Sequence, residues 1–131
     1  MTHCLTTTEI GTCYLFVGSP RNTLFRDLAK FLRLNVTFKT NKDPHYLEAF
    51  PLHKAPVFES KDGWKLHEAI CIADYFVSLK PADCTYNFFG HSERDRAIVV
   101  QWISFSFSDC VMAFVLLMIA KDGKQRNQPG D

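Results

Sequence analysis

The chain has 131 residues, 47% hydrophobic and 22% charged, which is enough for one domain with a core plus part of a second and argues against disorder. Fifteen Lys and Arg against 14 Asp and Glu leave a formal net charge of +1 with no basic cluster, which argues against direct nucleic-acid binding. Cys4, Cys13, Cys71, Cys84 and Cys110 are odd in number and form no Cys-x-x-Cys, so they read as reduced thiols, most of them small buried hydrophobes, rather than as disulfides or zinc ligands.

Residues 1–10 lack a basic amino end and an apolar run, so no secretory signal is expected there and the segment reads as a loose extension. Tyr14-Leu15-Phe16-Val17 is a short apolar run, as suits a strand buried on both faces. Gly18 ends it, Ser19 is placed to cap a helix, and Pro20 suits the first helical position. That helix runs to about Leu32, with Leu24, Leu28, Phe31 and Leu32 as its buried stripe. Val36 and Phe38 have the two-residue spacing of a second strand, and strand-helix-strand implies a parallel pair. Asp43-Pro44 starts a short helix through Tyr46, Leu47 and Phe50, which Pro51 stops.

Pro56 cannot donate to a sheet ladder, so it belongs at the entry to a strand over Val57-Phe58-Glu59. Asp62-Gly63 is a hairpin signal returning the chain through Trp64-Lys65-Leu66. Past Glu68 the period changes to three and four residues at Ile72, Tyr75, Phe76 and Leu79, which makes one face of a helix. The elements give a βαβ-α-ββα order with a mixed four-stranded sheet over residues 11–79. Residues 80–91 read as an interdomain linker.

Ser92 and Asp95 then cap a new helix with acidic residues in its first turn. Ile98, Val99, Trp102, Ile103 and Phe105 give it a wide apolar face, residues 111–120 are almost wholly apolar, and the polar tail reads as frayed. Residues 98–120 carry Asp109 as their only formal charge, and a membrane span needs about 20 apolar residues. An aspartate near the middle would cost roughly 2.5 to 3.5 kcal/mol on insertion scales, and Gln101, Ser104, Ser106 and Ser108 weaken the case further, so a buried helix of an all-helical second domain is the preferred reading.

The stretch FPLHKAPVFESKDGWKLHEAICIADYF at residues 50–76 resembles the second half of the thioredoxin-like domain of glutathione transferases. The resemblance implies an α/β fold, a cis Ala55–Pro56 bond and a following all-α domain, truncated here. GTCYLFVGSPRN at residues 11–22 and QWISFSFSDCV at residues 101–111, with Trp102, Ser104, Phe105, Ser108 and Asp109, narrow it to the transferase-like amino-terminal region of the elongation factor 1 gamma family. The segment between Tyr14 and Ser19 is one residue longer than in that family's fungal members.

The resemblance also assigns site residues. Ser19 is the catalytic candidate, a hydroxyl that favours the glutathione thiolate with help from a helix N-terminus. A plain helix cap explains the same serine with no function. Ser19-Pro20 stands where redox members of the fold carry Cys-Pro, which argues against thiol-disulfide exchange. Tyr14 comes too early in its strand to act as a tyrosine-type activator and reads as core. Lys54 matches the residue that reaches the glycine carboxylate, although a solvated loop lysine would look the same. Ala55 and Pro56 match the backbone that pairs with the cysteinyl amide, and Glu68-Ala69 matches the pair holding the γ-glutamyl carboxylate.

Ala69 departs from the family's serine or threonine, and losing that charge-assisted hydrogen bond costs on the order of 1.5 to 3 kcal/mol. No cofactor is therefore expected to be required, and glutathione is expected to bind weakly. His3, His45, His53, His67 and His91 fall at no ligand spacing, so no metal site is expected. The resemblance implies a noncatalytic, cytoplasmic scaffold module whose partners are the nucleotide-exchange subunits of elongation factor 1, with a homodimer left open and no membrane. The alternatives are a serine-type glutathione transferase acting on small electrophiles, and a truncated product with neither role.

Overall fold

A computed structural model of the chain describes residues 8–19 and 21–126. It divides into two compact units, one through Tyr86 and one from Asn87. The first unit is a four-stranded sheet in the order β2-β1-β3-β4. Its strands are β1 (Glu9–Leu15), β2 (Asn35–Thr40), β3 (Val57–Ser60) and β4 (Lys65–His67). The helices are α1 (Asn22–Phe31), α2 (Pro44–Ala49) and α3 (Ala69–Ser78). β1 runs parallel to β2 and antiparallel to β3, and β3 is antiparallel to β4, so the sheet is mixed as the element order implies.

The first strand differs from the expected span at both ends. β1 starts at Glu9, inside the segment read as an extension, because Glu9 is tied by its side chain to Thr37 of β2 and to Lys61. It stops at Leu15, and Phe16 and Val17 are exposed in the loop beyond. Gly11 is required in this strand, since a Cβ there would lie 2.3 Å from the Glu59 carbonyl oxygen and 2.7 Å from the Phe58 ring.

Alternation along β1 sends neighbouring residues to opposite faces. Tyr14 packs with Val57 and with Tyr46 and Phe50 around α2, a small core in which the Tyr14 ring lies tilted at 5.7 Å from both other rings. Cys13, paired with Phe58 across the ladder, belongs to the opposite face, where Phe58 meets Tyr75 and Phe76 of α3. Burial pushes the Cys13 thiol up to about 12, leaving it an inert hydrophobe. Cys71 and Cys110 are exposed instead and Cys84 is half-buried, so of the described cysteines Cys13 alone is a buried hydrophobe, and Cys4 lies outside the described residues.

α1 begins later than expected, with Arg21 rather than Ser19 as the residue ahead of its first turn. Its buried face is correspondingly shifted to Phe25, Ala29 and Leu32, while Leu24 and Phe31 are exposed. Phe31 instead meets Tyr86 edge-on at 6.0 Å. α2 is capped by Asp43, whose carboxylate accepts from the His45 N–H at 3.0 Å, and it buries Tyr46 while leaving Leu47 exposed. The hairpin closes through Ser60 N–H to the Trp64 carbonyl at 2.8 Å.

In the second unit, Ser92 and Asp95 form the expected capping box ahead of α4 (Glu93–Phe105). A π-helical turn over Ser106–Cys110 leads into α5 (Val111–Arg126), so residues 121–126 are helical rather than frayed. The expected buried helix is not what the structure shows: none of the residues of α4 is buried, and Trp102, Phe105, Leu116, Leu117 and Ile119 are among the exposed apolar side chains of α4 and α5, since no further element of the second unit packs on them among the described residues. By length and composition alone, Glu93–Lys121 would suffice to cross a bilayer.

Candidate functional site

The register gathers the candidate residues at one end of the sheet. Leu15, the last residue of β1, leads into the loop carrying Ser19, and Tyr14 beside it pairs with Val57, which follows Pro56. Val57 pairs in turn with His67, which precedes Glu68 and Ala69. The β1–α1 loop, the Ala55–Pro56 peptide and the N-terminus of α3 therefore emerge side by side. Lys54 lies two residues ahead of Pro56, exposed in the connection between α2 and β3.

The β1–α1 loop is a type II turn. Ser19 N–H donates to the Phe16 carbonyl at 3.1 Å, and Gly18 takes the positive φ of 76° that this turn demands at its third residue. The Ser19 Oγ accepts from the Arg21 N–H at 3.3 Å, and the Ser19 carbonyl from the Asn22 N–H at 3.1 Å. Ser19 thus organises the approach to α1 one turn ahead of the helix. Pro20 lies outside the described residues.

The Ala55–Pro56 bond is cis, as the resemblance implies. Glu68 adopts φ 70° and ψ 129°, a conformation uncommon for a residue with a side chain, and makes no side-chain capping bond. This strained residue turns the chain from β4 directly into α3, so the first backbone N–H groups of α3 lack intrahelical acceptors. They form an anion-accepting end, and Ala69, buried with 6% exposure, adds no hydroxyl to it.

Tyr14 is core as expected, although not for the reason of an early place in its strand: it is the next-to-last residue of β1 and is buried by its packing against α2. It is 2% exposed, and its hydroxyl is pushed up to about 12 by burial, with the negative charges of Glu59 and Asp43 adding to the effect. Residue spacing in the sequence carries no sign of the contact between His45 Nε2 and Glu59 Oε2 at 2.6 Å, which ties α2 to β3. Nor did it show that Asn22 and Asn41 hold the β1–α1 loop, because such bonds follow from tertiary placement and not from spacing. Among the described residues, no group of three or more His, Cys, Asp and Glu is arranged to hold a metal ion.

The family model for the glutathione S-transferase N-terminal domain matches residues 11–78. Elongation factor 1-gamma of Schizosaccharomyces pombe is 36% identical over 111 residues, covering 81% of this chain and 26% of that protein. A crystal structure of a glutathione S-transferase from Pichia kudriavzevii is similar with a TM-score of 0.72 and 35% identity, over 82% of this chain and 54% of that one. The glutathione transferase-like domain of elongation factor 1-gamma from Saccharomyces cerevisiae gives a TM-score of 0.63 and 31% identity, over 78% of this chain and 48% of that one. The chain thus spans about half the length of these solved structures and about a quarter of the fission-yeast protein.

Proposed function

Because the chain belongs to the glutathione S-transferase family through its N-terminal domain, we propose that it serves as a noncatalytic, transferase-like module of elongation factor 1, of the gamma-subunit type. In this role it works in the cytoplasm, and its sheet and helices act as a scaffold for the nucleotide-exchange subunits. The observation that carries the reading is Ala69, buried at the start of α3, where a transferase site would present a hydroxyl to the γ-glutamyl carboxylate. Without that hydroxyl the helix end keeps its amides and its positive dipole but loses one charge-assisted bond, equivalent to roughly ten- to a hundredfold in affinity.

Co-purification decides this reading. The chain is expected to retain an exchange subunit of elongation factor 1 on a tagged column, and a well-folded chain that retains none of them overturns the proposal. A parallel titration is expected to show weak glutathione binding that strengthens in Ala69→Ser by about tenfold or more.

The second reading is a glutathione transferase, favoured by Ser19 lying at the same end of the sheet as cis-Pro56 and α3. On this reading the Ser19 hydroxyl donates to the glutathione sulfur and holds it as thiolate, while Lys54 and the backbone at Ala55 and Glu68 orient the peptide. Retention on immobilised glutathione with measurable conjugation of a small electrophile, abolished by Ser19→Ala, would establish it in place of the scaffold.

A further inference from the structure

We propose that Asn22 and Asn41 are the positioning residues of the β1–α1 loop, gripping it from two different elements so that the Ser19 hydroxyl is held at the ligand-facing end of the sheet. The proposal rests on the reading of that end as a glutathione site, weak or strong, and concerns how the site is kept in shape. Among the described residues of the loop, Phe16 and Val17 are 54% and 44% exposed, and segments with few buried contacts open readily.

The two asparagines hold the loop from opposite sides. Asn41 follows β2, and its backbone N–H donates to the Leu15 carbonyl at 2.9 Å while its side-chain Oδ1 accepts from the Val17 N–H at 3.0 Å. Asn22 opens α1, and its backbone N–H donates to the Ser19 carbonyl at 3.1 Å while its Nδ2 donates to the Phe16 carbonyl at 2.8 Å. Asn22 therefore makes one main-chain and one side-chain bond to the loop, and Asn41 makes one side-chain bond to the loop and one main-chain bond to the last residue of β1. The chemistry required differs: Asn41 acts through its oxygen as an acceptor, Asn22 through its nitrogen as a donor. Aspartate can replace the first and cannot replace the second.

That asymmetry supplies the test, made on the full chain by amide hydrogen exchange and NMR. Asn41→Ala is expected to raise the exchange rate of the Val17 amide by about tenfold, and Asn41→Asp to leave it protected. Asn22→Ala and Asn22→Asp are both expected to speed the Ser19 amide and move its resonance, with the Cys13 and Phe58 amides unchanged as controls for the fold. Unaltered Val17 and Ser19 exchange in the alanine variants would overturn the proposal, as would aspartate behaving alike at the two positions. In a glutathione titration read at the Ser19 amide, the alanine variants are expected to bind about fivefold more weakly or worse, and Asn41→Asp like the parent. A parent chain that gives no response to millimolar glutathione would remove the glutathione reading, while the exchange rates would still decide whether the two asparagines hold the loop.

Discussion

Tyr46 buries its ring between Tyr14 and Phe50 with 1% exposure, yet among the described residues its hydroxyl finds no hydrogen-bond partner. A buried hydroxyl without a partner costs free energy, so Tyr46→Phe is expected to stabilise the first unit by about 1 kcal/mol, measured by urea unfolding. A less stable Tyr46→Phe variant would show that the hydroxyl is bonded after all. Gly11 lies at the other extreme of tolerance, with a carbonyl and an aromatic ring occupying the space of a Cβ. Gly11→Ala is expected to cost about 3 kcal/mol, because β1 and β3 would have to separate to admit the methyl group. The need for glycine at position 11 was not visible in the sequence, where Gly11 stands at the start of the first domain ahead of the apolar run. Tyr14 as a core residue was visible, since an apolar run around it has no polar alternation.

At the scale of elements, α1 shows how an apolar helix can be identified and yet rotated. Leu24, Phe25, Leu28, Phe31 and Leu32 offer two overlapping stripes, and the choice between them depends on which face the sheet meets. The structure buries Phe25, Ala29 and Leu32, so Phe25→Ala is expected to cost about 3 to 5 kcal/mol and Leu24→Ala under about 1 kcal/mol in the same unfolding measurement. The start of α4, by contrast, was set by local chemistry. Ser92 Oγ accepts from the Asp95 N–H at 3.1 Å, and the Asp95 carboxylate accepts from the N–H groups of His91 and Ser92 at 3.0 Å each. The His91 N–H, followed by the Ser92 hydroxyl, holds the Asp95 carboxyl below its ordinary value of 3.8. A depressed folded-state value means that the cap's contribution is complete above pH 3.8 and is lost as the pH falls through the lower folded value. The first turn of α4 is therefore expected to fray in that acidic window, seen as collapse of its amide protection, and Asp95→Asn should fray it already at neutral pH.

For the whole molecule, the two units differ in what surrounds their apolar residues. The first encloses its core on both faces of a sheet, while α4 and α5 leave Trp102, Leu116, Leu117 and Ile119 exposed. Apolar side chains exposed at this density bind apolar dyes and promote association. The isolated chain is expected to enhance anilinonaphthalene sulfonate fluorescence strongly, and Leu116→Lys with Leu117→Lys should remove most of that signal. A chain that leaves the dye dark would mean that this face is covered in solution.

The family resemblance supplied the cis bond at Pro56 and the departure at Ala69, and the sequence by itself determined the order of strands and helices, the proline at the entry to β3, the hairpin and the Ser92 cap. Each depends on residues close together in the chain, where turn chemistry, capping and periodicity act. Only the tertiary structure decided where β1 begins, which stripe of α1 is buried, that Glu68 takes a positive φ, and that Asn22 and Asn41 hold the loop of Ser19. These depend on contacts between segments distant in sequence, where close approach of two backbones and the geometry of the sheet override local preference.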